Sequence, residues 1–269
     1  MKLNILVSTI NDGIKNIEKI FLPFDNNISY IISHQITNNK DYVNDVTILK
    51  QRKDATYLSL DVKGLSKNRN NCLKHIDGDI VYICDDDVSL RYEGILELIE
   101  KFKNSDNLDV LRCQVKTFGG KPYKPYKPIE YKIASLRELT NFSSIEMTVK
   151  SSFIKENELL FDENFGIGAS YPIGEDFIFI TDIFKKNGNI VHYPIDIVEH
   201  EDFGTGAILS DNIIFGRGAV FRRVFGKLSF IINVYFAMKN KKKYKSKYTF
   251  WEYSTLLFQG NRDYARKKS

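Results

Sequence analysis

From Leu3 to Lys103, short apolar runs of β type alternate with stretches whose apolar residues recur at helical spacing. That alternation predicts an α/β layer structure with a largely parallel sheet. Leu3–Val7 reads as the first strand, and Gly13–Phe21 as a helix with Ile14, Ile17 and Ile20 or Phe21 on one face. "ISYIISH" (28–34), "DVTILK" (45–50) and "TYLSLDV" (56–62) read as strands. "LSKNRNNCLKHI" reads as a helix that Ser66 is placed to cap, burying Cys72, Leu73 and Ile76. "GDIVYIC" is the next strand, and "YEGILELIEKFK" a helix burying Ile95, Ile99 and Phe102. Such sheets bind ligands at the carboxyl ends of their strands, where Ser8, Thr9 and Asn11, then Ser33, His34 and Gln35, follow two of them.

The strand ending at Cys84 runs without a gap into Asp85, Asp86 and Asp87. Three adjacent carboxylates repel one another, so cations or hydrogen-bond donors must meet them. An oxygen-only cluster at a strand end suits a hard divalent ion such as Mg²⁺ or Mn²⁺, which completes its shell with water and phosphate oxygens. An acidic turn accounts for three aspartates equally well. In "GLSKNRN" (64–70), Gly64 permits a tight turn. Lys67 and Arg69 place cations near a helix start, where backbone N–H groups favour phosphate. A solvated basic helix start has the same appearance. "GED" (174–176) places two carboxylates at another helix start, which dipole-complementary capping also explains. The helix from Glu175 has Phe177, Ile180 and Phe184 as its expected buried stripe. "KPYKPYKP" (121–128) suits extended backbone and reads as a mobile loop beside the site, or as a plain surface linker.

Taken in order along the chain, these pieces resemble the family 2 glycosyltransferases of the GT-A fold over roughly residues 3–206. The matching stretches are "VSTIN" (7–11), "GLSKNRN", "GDIVYICDDDV", "LFDENFG…GEDF" (160–177) and "VEHEDFGTG" (198–206). The resemblance implies a Rossmann-like, mostly parallel sheet flanked by helices, a UDP-sugar donor and a Mn²⁺ or Mg²⁺ cofactor. Asp87 would ligate the metal, Asp85 the ribose or metal-bound water, with Asp86 assisting. Arg69 would contact phosphate or base, and Thr9, Asn11, Gln35 and Ser66 complete the nucleotide contacts. The family commonly has an acidic "DDGS"-like stretch where this chain reads "SHQIT" (33–37), leaving Gln35 to bond a uracil edge and His34 to stack or bond. Asp176 is the implied general base of an inverting transfer, with Glu175 as acceptor ligand or alternative base. His200 is a third metal ligand or a structural histidine. The implied reaction moves a hexose-type sugar to a saccharide, typically a lipid-linked precursor of capsule, O-antigen or cell wall, at the cytoplasmic face. A nucleotidylyltransferase also uses strand-end aspartates and Mg²⁺, but usually carries a Gly-rich, Arg-containing first loop that "STINDG" (8–13) is not. A non-catalytic nucleotide- or glycan-binding module is the other alternative.

Charge divides the chain. Gly216–Ser269 holds 14 Lys and Arg against two acids, while residues 1–215 hold 25 against 32. Residues 1–210 therefore read as the glycosyltransferase domain and 211–269 as a basic, mainly helical extension. In 215–248, Phe221, Val224, Phe225, Leu228, Ile231 and Ile232 recur near helical spacing, and a run of lysines follows. That pattern suits helices lying on an anionic membrane surface, or packed on the body with a basic solvated face. No recognised nucleic-acid-binding fold is present. Trp251, Tyr253 and Phe258 suit a membrane interface or a subunit contact in a homo-oligomer. No run of about 18 apolar residues suggests a spanning helix. Three scattered cysteines, Cys72, Cys84 and Cys113, fit a reduced intracellular protein.

Overall fold

A computed structural model describes residues 1–201 and 209–268. Its first half consists of β1 (Leu3–Ile10), β2 (Ile28–Gln35), α1 (Val43–Lys50), β3 (Ala55–Leu60), α2 (Leu65–Leu73), β4 (Ile80–Asp85), β5 (Ser89–Leu90) and α3 (Tyr92–Lys103). There follow β6 (Val110–Thr117), β7 (Tyr131–Lys132), α4 (Leu136–Leu139), β8 (Met147–Lys150), α5 (Ser151–Glu156), α6 (Glu175–Lys185) and β9 (Ile190–His200). The C-terminal helices are α7 (Asp211–Phe225), α8 (Ser229–Lys239), α9 (Lys241–Tyr244) and α10 (Phe250–Lys267). Of the described residues, 1–63, 67–161 and 179–201 form one compact unit, and 64–66, 162–178 and 209–268 a second.

In the first unit the strands form a sheet in the order β3-β2-β1-β4-β8-β6-β9-β5, with β7 paired to β9. The expected parallel arrangement holds across β3, β2, β1 and β4. Beyond them the sheet is mixed, because β8 runs antiparallel to both β4 and β6. β1 and β4 are apolar on both faces, as parallel strands covered from both sides must be. Ile14, Ile17 and Ile20 are buried on a 3-10 helix, Asn11–Ile20, whose three residues per turn put a strict spacing of three on one edge.

Two expectations are corrected. "DVTILK" lies in α1 and is not a strand. Asp41 Oδ1 accepts from Val43 N at 2.8 Å and opens the turn, after which Val46 and Leu49 face inward while Val43 and Ile48 stay exposed. A six-residue apolar run has too few periods to distinguish strand from helix. In α6 the buried residues are Ile178, Phe179, Ile180, Thr181 and Ile183, whereas Phe177 and Phe184 are only half-buried. The helix is covered around much of its circumference, so no single stripe marks its buried side.

The second unit is built on α7 and α10, which approach closely at two glycines. A Cβ on Gly218 would lie 1.9 Å from the Leu257 carbonyl oxygen, and one on Gly260 1.8 Å from that of Phe215. Ile214, Phe221, Tyr253 and Leu257 bury themselves beside this contact. Gly218→Val forces the helices apart, and we expect it to cost about 3 kcal/mol in urea unfolding. A loss below about 1 kcal/mol would mean that the helix pair yields without penalty.

Candidate functional site

β1 is the switch point of the sheet: the chain leaves it for β2 and β3 on one side and returns to β4 on the other. Crevices in α/β sheets open at this place, beyond the carboxyl ends of the strands. Register pairs Ser8 with Asp85, Thr9 with His34 and Ile10 with Gln35, so these residues share that edge.

Each of the three aspartates meets a different partner. Asp85 Oδ1 accepts from Nη2 of the buried Arg69 at 2.9 Å, and the same nitrogen donates to Ser144 Oγ at 2.8 Å. Asp86 accepts a hydrogen bond from Thr9 Oγ1. It lies so close to the 3-10 helix that a Cβ on Gly13 would meet Asp86 Oδ2 at 2.1 Å, and burial pushes its carboxyl up to about 6. Asp87 projects outward, its side chain 63% exposed, with Oδ1 3.5 Å from His200 Nε2. The hydrogen bond from His200 holds the Asp87 carboxyl below its ordinary range, and Asp87 in turn raises the imidazole.

Asp87 and His200 fit a hard divalent cation. His200 Nδ1 lies 2.7 Å from the Glu201 carbonyl, which can only accept, so Nδ1 carries the proton and Nε2 faces Asp87. Metal-ligating histidines are held in this way. Among the described residues no group of three or more His, Cys, Asp and Glu is gathered for a metal. To such an ion the protein would offer a carboxylate and an imidazole, leaving further positions to oxygens from outside the chain.

The remaining predicted residues are engaged locally. Asn11, at φ 50°, accepts from Thr37 N at 2.8 Å through Oδ1 and donates to Thr37 Oγ1 at 3.1 Å through Nδ2. Gln35 Nε2 donates to the Val62 carbonyl at 2.6 Å. His34 does not present its ring to a base, as the sequence suggested. It is fully buried, with Nε2 on the Asn11 carbonyl at 2.9 Å and Nδ1 on Tyr57 Oη at 3.1 Å. The carbonyl fixes the proton on Nε2, Tyr57 donates to Nδ1, and burial lowers the pKa. A lowered folded pKa contributes stability above pH 6.5 that is lost as pH falls towards the folded value. We expect His34→Gln to flatten this acid slope by about 1 kcal/mol per pH unit below pH 6.5, measured as the difference from wild type in urea titrations. An unchanged slope would mean that His34 protonates in place.

In the second unit, Ser66 does not cap α2, which starts one residue earlier. Its hydroxyl is buried and donates to the Phe165 carbonyl at 2.6 Å, while Leu65 N donates to the Ile167 carbonyl at 2.9 Å. Gly166, at φ +101°, would with a Cβ touch Ser66 Oγ at 3.2 Å and the Glu175 side chain at 3.3 Å. The starts of α2 and α6 therefore meet the same loop, with Glu175 and Asp176 in the first turn of α6. Gly174, at φ +92°, precedes them, and a Cβ there would strike Val220 Cγ2 at 2.3 Å.

Sequence reasoning missed Glu146. This fully buried carboxylate accepts from Tyr126 Oη at 2.7 Å, Ser143 N at 2.8 Å, Lys124 Nζ at 3.0 Å and Arg112 Nη2 at 3.3 Å. It thereby ties down the Lys-Pro-Tyr loop, expected to be mobile. Tyr123 of that loop sits edge-on to His200, with ring centroids 5.5 Å apart. The signal in the sequence was the Ser143-x-x-Glu146 capping box. The "DFGTG" part of the last matching stretch falls at 202–206, outside the described residues.

Residues 36–166 match the family model glycosyl transferase family 2. The match includes Ser66, Arg69 and Asp85–Asp87 and ends before Glu175, Asp176 and His200. The crystal structure of S. aureus TarS 1–349 is similar at TM-score 0.68 and 13% identity, over 100% of this chain and 92% of that one. The same protein in complex with UDP-GlcNAc matches at TM-score 0.69 and 15% identity, over 99% and 81%. A longer S. aureus TarS structure matches at 0.62 and 16%, over 91% of this chain and 44% of that one. No curated protein matches in sequence. The resemblance to family 2 and the GT-A fold is thus borne out.

Proposed function

From the premise that this chain carries a family 2 glycosyltransferase region in a GT-A fold, we propose that it transfers a hexose-type sugar from a UDP-sugar to a saccharide acceptor, with inversion. The observation that carries the reading is the division of labour among the aspartates. Arg69 occupies Asp85 and Thr9 occupies Asp86, while Asp87 projects outward beside the largely covered His200, a pair able to serve as ligands. The similar structure solved with UDP-GlcNAc supports a uridine nucleotide as donor.

In this reading the acceptor hydroxyl oxygen attacks the anomeric carbon, and the bond from that carbon to the diphosphate oxygen breaks. Asp176 takes the hydroxyl proton, Glu175 holds the acceptor, and UDP leaves with the bonding pair. Thr9, Asn11, Gln35, Ser66 and Arg69 shape the nucleotide side. A bound Mn²⁺ or Mg²⁺ would supply Lewis-acid neutralisation of the departing diphosphate, and Asp87 and His200, with Asp85 through water, would hold it. We place the enzyme in the cytoplasm, peripheral on the inner face of the plasma membrane through 215–248, where it extends a lipid-linked glycan of capsule, O-antigen or cell wall. Residues 1–210 would carry the chemistry and 211–269 the attachment.

The test is a calorimetric titration of UDP into the full chain with Mn²⁺ and then with EDTA. Binding that needs the metal is the expected result. Equal binding in both would remove the metal from the reading, and no binding in either would leave the aspartates as an acidic turn.

A further inference from the structure

α8 carries large apolar residues on both sides. A helix on a protein surface normally turns them inward alone. Here Ser229, Asn233 and Ala237, spaced by four, are the fully buried positions, with Ile232 and Phe236 packed beside them, and Ser229 Oγ accepts from Asn261 Nδ2 of α10 at 2.8 Å. Outward point Phe230 (61% exposed), Ile231 (65%), Tyr235 (57%) and Met238 (64%), with Leu228 (66%) just before the helix. Of the residues expected from the sequence to face a membrane, only Leu228 and Ile231 point outward. Phe221 and Val224 are buried in the core of this unit, with Phe225 and Ile232 packed against it. Nor does the expected aromatic anchor hold together, because Tyr253 is buried and stacked on Tyr244 at 3.8 Å, Phe258 is half-buried, and of the three only Trp251 is exposed.

Six exposed lysines lie between Lys239 and Lys247, directly after this face. Lys239 Nζ stands 5.6 Å from the Tyr235 ring centroid, where apolar face and charge meet. Lys241, Lys245 and Lys247 line a cavity of about 360 Å³ with Tyr244, Tyr248 and Phe250. Trp251 projects beside Phe250.

We propose that the outer face of α8 and the lysine cluster behind it form one dock for an anionic phospholipid bilayer, with Phe230, Ile231, Tyr235 and Met238 entering among the acyl chains and the lysines meeting phosphate headgroups. The face has the composition of an interfacial helix, large apolar residues bordered by cations. Charge selects the occupant: anionic headgroups neutralise the lysine cluster that borders the face, which an uncharged apolar partner would leave uncompensated. The chain would lie on the bilayer and not cross it, since no described helix is long and apolar enough to span one. The proposal specifies the membrane attachment suggested above and depends on that attachment, not on the transfer chemistry.

Flotation of the full chain with unilamellar vesicles tests it. Phosphatidylglycerol-rich vesicles should bind it at least about tenfold more tightly than pure phosphatidylcholine, with the difference shrinking in salt. The variant F230Q/I231Q/Y235Q/M238Q should lose about tenfold or more while keeping the wild-type circular dichroism, since every changed side chain is exposed. A lysine variant, K241Q/K242Q/K243Q/K245Q, should lose the salt-dependent part alone. Equal binding to both lipids, or undiminished binding by the α8 variant, would overturn the dock. So would a wild-type dimer in sedimentation that the α8 variant converts to monomer, because a second copy would then cover the face. UDP titration of the same samples separates the two readings: vesicle binding without UDP binding sinks the transferase and leaves the dock standing, and the converse sinks the dock alone.

Discussion

We expect Asp87→Ala to lower sugar transfer by about a thousandfold, equivalent to about 4 kcal/mol, and to remove the response of UDP binding to Mn²⁺. The neighbouring aspartates cannot take over. The Asp85 carboxylate is committed to a buried guanidinium, and that of Asp86 is half-buried, bonded by Thr9 and pushed up to about 6, so it gives up its charge more readily than an ordinary aspartate. Stability should change by less than about 1 kcal/mol, because the Asp87–His200 pair is partly exposed and such pairs contribute little. The contrast is Asp85→Ala, which removes the carboxylate facing the buried Arg69 guanidinium and should cost about 2 kcal/mol of stability whatever it does to transfer. Calorimetry with and without Mn²⁺, beside urea titration of both variants, separates ligand from scaffold. Metal-dependent UDP binding of wild-type strength in Asp87→Ala would remove Asp87 from the site.

What could be read from the sequence follows from how local each determinant is. β1, β2 and β4 were legible because their apolar residues are nearly continuous over five or more positions. α1 was not, because its six-residue run carries no period and its start depends on the Asp41 side chain. The acidic triplet was visible as a cluster needing partners, but the partners come from Thr9, Arg69 and His200, far apart in the chain and brought together by sheet order. Asn11 and Gln35 stood at the right strand ends for nucleotide contacts, yet residue type alone could not reveal that they bond Thr37 and Val62. In the tail, helical periodicity was correctly sensed, but a stripe of Phe and Val gives no sign of which side is turned inward. That depends on the α7–α10 contact, which Gly218 and Gly260 make possible.

Asp176→Asn should reduce kcat by about 10²–10⁴-fold with UDP affinity unchanged. Asparagine keeps the shape and hydrogen-bonding reach of the side chain but cannot receive the acceptor proton, so the loss falls on the chemical step. The rival explanation is structural, since an acidic residue in the first turn of α6 also complements the helix dipole. Dipole complementarity is worth about 0.3–1 kcal/mol, and its loss would appear in thermal unfolding without a thousandfold fall in turnover at saturating substrate. Gly174 turns at φ +92° against Val220, and Ile178 N donates to the Gly174 carbonyl at 3.0 Å, backbone contacts that the isosteric substitution leaves in place, so the variant should keep its fold. Glu175→Gln provides the internal comparison, because an acceptor ligand raises KM where a base lowers kcat. Transfer by Asp176→Asn within tenfold of wild type would move the base to Glu175 or away from this helix altogether.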